Sequence, residues 1–142
     1  MSKEAAVTAF LACERFIVVG ASANRSKFGN KVLRALINKY GTENVLPVNP
    51  KEEQVEGVRA FASVGDAVAT CNPSTTGACI ITPPKVSAEA IKALGAAGVK
   101  HIWLQPGAED AAAIAAGEQF ELDAFLHSGP CVLATLGFSD HF

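Results

Sequence analysis

Ser22, Asn24, Arg25 and Lys27 gather hydroxyl, amide and cationic side chains into the nine residues from Gly20 to Phe28, with no acidic residue among them. Groups of these types surround anions, and phosphate oxygens above all, because each donates a hydrogen bond or carries positive charge. Gly20 permits a tight exit from whatever precedes the run, Gly29 permits close backbone approach, and Lys31 adds a further cation. The spacing is neither G-x-G-x-x-G nor G-x-x-x-x-G-K-[ST], so an ordinary dinucleotide loop and an ordinary nucleoside-triphosphate loop both lose their main support. Glycines also end strands with no ligand in view, and this segment by itself leaves both readings open.

The next polar stop is Val48-Asn49-Pro50-Lys51. A dinucleotide site commonly carries an Asp or Glu at this point to hold the adenosine ribose hydroxyls. An amide and a cation stand here instead, which suit a phosphate on or beside the ribose; an ordinary solvated lysine is the other reading of Lys51. Thr82-Pro83-Pro84 forms a stiff corner, fit to line a crevice or to close a turn. The four cysteines, Cys13, Cys71, Cys79 and Cys131, are widely separated and make no metal spacing, so they read as free thiols and no metal site is predicted. Cys79 and Cys131 fall in predicted strands without a partnering His or Asp, and His101, His127 and His141 form no cluster. No catalytic residue is predicted.

The elements that must position these groups follow from hydrophobic period. Phe16–Val19 is an unbroken apolar run, read as a strand buried on both sides, and Val32, Leu33, Leu36 and Ile37 mark one face of the helix after it, with Lys31, Arg34 and Lys39 off that face. The first amides of that helix lack intrahelical partners, and its dipole favours a negative group at the strand's end. A short leading helix is predicted over Lys3–Cys13, and Gly41 is placed as the C-cap of the long helix. Further strands are predicted at Val45–Val48, Ala78–Ile81, Lys100–Leu104 and Cys131–Ala134, the second at or near an edge because of Pro47. Val58–Phe61 reads as a brief extended piece, and Ser87 as the cap of the helix after the prolines. A last helix is predicted from Glu109 and Asp110, relayed through Leu122, Phe125 and Leu126 to Gly129-Pro130. The tail is expected to pack back through Phe138 and Phe142.

Five apolar strands alternating with helices predict an α/β fold: a parallel sheet covered on both faces, with the loops after Val19, Val48, Ile81 and Leu104 on one side. The crevice of such a sheet lies where strand order reverses, placed here between the first and fourth strands.

At 142 residues the chain suits a single domain over 1–142. No run approaches the ~20 apolar residues needed to span a bilayer, and the opening MSKEAAVTAFLACER has no secretory pattern, so a cytoplasmic protein without membrane attachment is expected. The net charge of −2 is unevenly spread: residues 1–51 hold eight Lys or Arg against three acids, and residues 52–142 hold four against eleven. That excess is too small and too dispersed for a nucleic-acid surface. A small polyanion fits it better.

Taken in order, IVVGAS, KFGNKVLRAL, VLPVNPK and EGVRAFASVGDA, followed by IITPPK and IWLQPG, resemble the CoA-binding domain family, which includes the nucleotide-fold part of succinyl-CoA synthetase alpha subunits and small standalone proteins. The likeness spans about residues 5–134. It implies a Rossmann-like open sheet of order 3-2-1-4-5 that holds CoA or acyl-CoA by its phosphorylated adenosine and pyrophosphate. On that resemblance Ser22, Ala23, Asn24 and Arg25, between Gly20 and Gly29, make the phosphate contacts with Lys27 a nearby candidate, and Asn49, Pro50 and Lys51 lie by the adenosine or its extra phosphate. Thr82, Pro83 and Pro84 flank the ligand, and Leu104, Gln105 and Pro106 lie near the pantetheine path. The last trio departs from the Thr-Glu pair of the synthetases and looks like the standalone proteins. Nothing in the chain matches the synthetases' phosphorylated histidine or their second nucleotide-grasping region. The expected role is therefore non-catalytic binding of CoA or acyl-CoA. The alternatives are a nucleotide-sensing regulatory domain, a module supplying a synthetase partner in trans, an NAD(P)-binding protein, or an enzyme using Cys79 or Cys131. A protein partner or a homo-oligomer is compatible with the sequence, which offers no specific support for either.

Overall fold

A computed structural model describes residues 2–139. Ser2 accepts a hydrogen bond from the Ala5 amide and so caps α1 (Lys3–Leu11). β1 (Arg15–Val19) leads through the polar loop into α2 (Phe28–Tyr40), which stops at Gly41, φ 91°. β2 (Val45–Val48) is followed by a two-stranded hairpin of β3 (Gln54–Val55) and β4 (Val58–Arg59), and then by α3 (Val64–Val68). β5 (Thr76–Ile80), α4 (Pro84–Ala96), β6 (His101–Leu104), α5 (Ala111–Glu118), β7 (Ala124–Leu126) and α6 (Val132–Leu136) complete the chain.

The five long strands make one parallel sheet in the order β2-β1-β5-β6-β7, with Val19 in register with both Val48 and Ile80. Alternation along β1 divides the core. Phe16 and Val18 join Cys79, Trp103 and residues of α1, α2 and α6 on one face. Ile17 and Val19 join Ala78, Ile80, Ile102, Leu104 and residues of α3, α4 and α5 on the other. Every residue of β5 is buried, as a central strand covered on both sides requires. The expected fold class, a parallel sheet between two helical layers, is therefore the observed one.

Four expectations are corrected. The strand read as third is β5, and it lies against β1 rather than beyond β2, so the order over the five strands is 2-1-3-4-5 instead of 3-2-1-4-5. The outer place beside β2 is held only by a parallel bridge from Val48 to Phe61, with the Phe61 amide donating to the Pro47 carbonyl at 2.8 Å. Long apolar strands take the doubly covered positions and the brief Val58–Phe61 piece takes the rim, where Pro47, lacking an N–H, does no harm. The reversal accordingly falls between β1 and β5. The fifth strand is Ala124–Leu126, inside the expected relayed helix, and the run at Cys131–Ala134 is helical instead. Both are short apolar runs for which period alone cannot separate strand from helix. Ser87 does not cap α4: the helix starts at Pro84, and Ser87 Oγ, fully buried, donates back to the carbonyls of Thr82 and Pro83. Arg34 does not lie off the buried face of α2 but is 6% exposed beneath the polar loop. Phe142 and His141 lie outside the described residues.

Candidate functional site

The crest formed by the strand ends is organised by the loop after β1. Ser22 Oγ accepts from the Asn24 amide at 3.1 Å, and Asn24 Oδ1 accepts from the amide and hydroxyl of Ser26 at 3.0 and 2.7 Å. The two side chains thus fold the loop upon itself. Gly20 turns out of the strand at φ 98°. A Cβ on Gly29 would collide with the Gly20 carbonyl oxygen, so the start of α2 presses directly on the strand exit. Lys27 is the N-cap residue of α2, no side chain caps that helix, and its first turn holds no acid. A helix start of this kind favours a negative partner.

Beneath the loop lies a polar knot. Asn30, with no exposed surface, donates Nδ2 hydrogens to the Ser22 carbonyl at 2.8 Å and to Glu56 Oε2 at 3.0 Å, while its Oδ1 accepts from Arg34 Nε at 2.7 Å. Arg34 also donates to the Arg25 carbonyl at 3.0 Å. Arg25 reaches Glu56 Oε1 at 2.9 Å. One amide and two guanidinium groups therefore tie the loop, the first turn of α2 and the tip of the β3–β4 hairpin together.

One hollow adjoins the loop and a second lies beyond the tip of β2. The first, about 380 Å3, is mostly apolar, runs between the tips of β1 and β2 and the side of α4, and is lined by Val19, Gly20, Pro50, Thr82, Val86 and Ala90 among others. Its volume lies within the ~300–1,000 Å3 of small-molecule sites. Val86, half exposed, stands at its edge and is the large apolar side chain the described surface leaves open. The second hollow, about 610 Å3, is lined by Asn49, Pro50, Lys51, Glu52, Glu53 and Arg59 among others. Asn49 and Pro50 belong to both linings and divide the two.

The predicted residues separate accordingly. Gly20, Asn49, Pro50 and Thr82 line the apolar hollow, and Lys51 lines the polar one beside two carboxylates. Asn49 is a clamp between loops: its Nδ2 donates to the Ala21 carbonyl at 3.0 Å and its Oδ1 accepts from the amides of Lys51 and Glu52. Ala23, Asn24, Arg25 and Lys27 are exposed on the loop, whereas Gly29 is buried under it. Pro83 and Pro84 build the start of α4 and line neither hollow. Leu104 and Gln105 are buried at the end of β6 and Pro106 is exposed beside them, away from both hollows. Gln105 Oε1 accepts from the Val132 amide at 2.9 Å, and its buried Nε2 has no partner. That side chain anchors α6 in the structure as it stands.

Sequence reading missed Glu56, Asn30 and the inward turn of Arg34. A signal was present: Asn30 and Arg34 are four apart on a helix whose neighbouring positions are apolar, and a buried polar pair needs partners. Two of the four thiols, Cys13 and Cys79, are buried in the core. Burial pushes the Cys13 thiol up to about 11, and it pushes Cys79, with no exposed surface, higher still. No group of His, Cys, Asp and Glu able to hold a metal occurs among the described residues, and none of their helices is long and apolar enough to cross a membrane.

Residues 14–134 match the family model described as CoA binding domain. The chain is 34% identical over 85 residues to the alpha subunit of an ADP-forming acetate–CoA ligase II from Pyrococcus furiosus, covering 60% of this chain and 18% of that protein. The chain thus spans less than a fifth of that curated relative. Among solved structures, a conserved hypothetical protein from Pyrococcus furiosus superposes with a TM-score of 0.73 at 31% identity, covering 85% of this chain and 97% of the other. A hypothetical protein from Pyrococcus horikoshii shares the fold with a TM-score of 0.79 at 23% identity, covering 94% of this chain and 89% of the other.

Proposed function

The chain belongs to the CoA binding domain family, and from that premise we propose that it acts as one domain binding CoA or an acyl-CoA through the phosphorylated adenosine and the pyrophosphate, without catalysing a reaction itself. The observation that carries this reading is the adjacency of an apolar hollow at the tips of β1 and β2 to a helix start with no side-chain cap and no acidic residue in its first turn. A base needs the first and a diphosphate needs the second. On this reading the loop amides from Ser22 to Arg25, with the first turn of α2, hold the diphosphate, and Lys27 adds charge. The slot between Val19, Pro50, Thr82 and Val86 takes the adenine, and Lys51 meets the additional phosphate of the adenosine. The pantetheine arm runs over the end of β6 near Leu104, Gln105 and Pro106. The missing carboxylate at Asn49-Pro50-Lys51 favours CoA over NAD, whose unsubstituted ribose seeks an acid there.

Calorimetry with CoA, dephospho-CoA and NAD tests the assignment. CoA is expected to bind most tightly, and Lys51→Ala to weaken CoA by about 1.5–3 kcal/mol while leaving dephospho-CoA nearly unchanged. Equal, weak binding of all three ligands refutes the reading.

A further inference from the structure

Glu56 is at the tip of the β3–β4 hairpin, between Val55 and Val58, and both turn residues have positive φ: 52° at Glu56 and 75° at Gly57. Turns of this hand are the preserve of Gly, Asn and Asp, so a glutamate in the first place is held against its backbone preference. Its side chain supplies the compensation. Both carboxylate oxygens are engaged on the anion loop, Oε1 by Arg25 and Oε2 by the buried Asn30 in the first turn of α2. The Glu56 side chain is 19% exposed while that of Arg25 is 53% exposed, so the carboxylate is seated more deeply than the guanidinium.

We propose that Glu56 is a resident competitor for the phosphate loop. Its carboxylate is an anionic partner of Arg25 and of the Asn30 side chain in the first turn of α2. A phosphate of the ligand takes Arg25 over and loosens the hairpin's hold. The inference rests on reading this loop as the phosphate site. Its consequence is a coupling across the site: the hairpin follows Asn49–Lys51 through Glu52 and Glu53, so undocking its tip also loosens the segment proposed to meet the adenosine.

Titration of wild type, Glu56→Gln and Glu56→Ala with CoA and with inorganic pyrophosphate tests it, alongside hydrogen exchange of the hairpin amides over 54–59. Both variants are expected to bind about fivefold more tightly than wild type at low salt, a gain of the size an exposed ion pair allows. That gain should disappear in the Arg25→Ala background. In wild type, saturating CoA should speed exchange at the hairpin. If wild type binds CoA and the variants bind equally well or worse, Glu56 positions the loop instead of competing for it, and the inference falls while the CoA reading survives. If neither wild type nor the variants bind CoA or pyrophosphate, both fall together.

Discussion

Asn30→Ala removes the centre of the polar knot and should be the most damaging single polar truncation near the crest. Asn30 makes three hydrogen bonds, two of them to charged partners, and has no exposed surface. A hydrogen bond to a charged group contributes about 1.5–3 kcal/mol, and one between neutral groups about 0.5–1.5. Simple addition overstates the loss, because the three share one side chain and the Ser22 and Glu56 bonds are only part-buried, so water can replace some of them. The Arg34 bond is fully buried and cannot be replaced so easily. We therefore expect a loss of about 2–4 kcal/mol. Urea unfolding followed by far-ultraviolet dichroism measures it, with the midpoint falling and the m-value unchanged. Asn30→Asp separates geometry from charge: it keeps the acceptor for Arg34 but sets a carboxylate against the Ser22 carbonyl and Glu56, so it should rescue little. A loss below about 1 kcal/mol for Asn30→Ala would show that the knot is replaceable by solvent and refute the reasoning.

Three further outcomes are expected. Gly29→Ala should lower stability by about 1–3 kcal/mol, because its methyl group meets the Gly20 backbone oxygen and no side chain can move aside, and calorimetry should show CoA affinity falling with it. Gln105→Leu should cost only about 1 kcal/mol, since losing the Val132 acceptor is partly offset by removing an unpartnered buried amide; faster hydrogen exchange at Val132 is the specific readout. The protein should lose stability in alkali: the folded state holds the Cys13 proton up to about 11, the unfolded chain releases it from about pH 8.5, and this group alone erodes stability by roughly 1.4 kcal/mol per pH unit between them, with the buried Cys79 thiol adding a loss of the same sign. Denaturant melts from pH 8 to pH 11 should show a slope of at least that size, and Cys13→Ala should reduce it by the Cys13 share.

How far the sequence could be read depended on the length of each pattern. β1, its loop and α2 were legible because an unbroken apolar run, a polar stretch and a 3.6-residue period follow one another without ambiguity. The Gly41 stop was legible for the same local reason, and φ 91° there confirms it. Ala124–Leu126 and Val132–Leu136 were exchanged between strand and helix because each is a short run whose fate is set by what it packs against. Strand order was less accessible still, since the rim place taken by Phe61 depends on competition between distant segments for covered positions. At the crest, the loop residues were visible as a cluster of donors. Their restraint was not, because Glu56 joins them from 31 residues beyond Arg25 through a turn whose glutamate carries no motif.

Trp103 is the single tryptophan of the chain. It has no exposed surface, stands edge-on to Phe10 at 5.3 Å and donates its indole hydrogen to the Pro130 carbonyl, in the layer of α1, α2 and α6. The apolar hollow opens toward the opposite layer. The molecule thus contains an intrinsic optical reporter of its interior, in the layer opposite the hollow proposed to take the adenine. Its emission should be blue-shifted in the native state and move to the red when the two layers come apart, so one cuvette can follow unfolding.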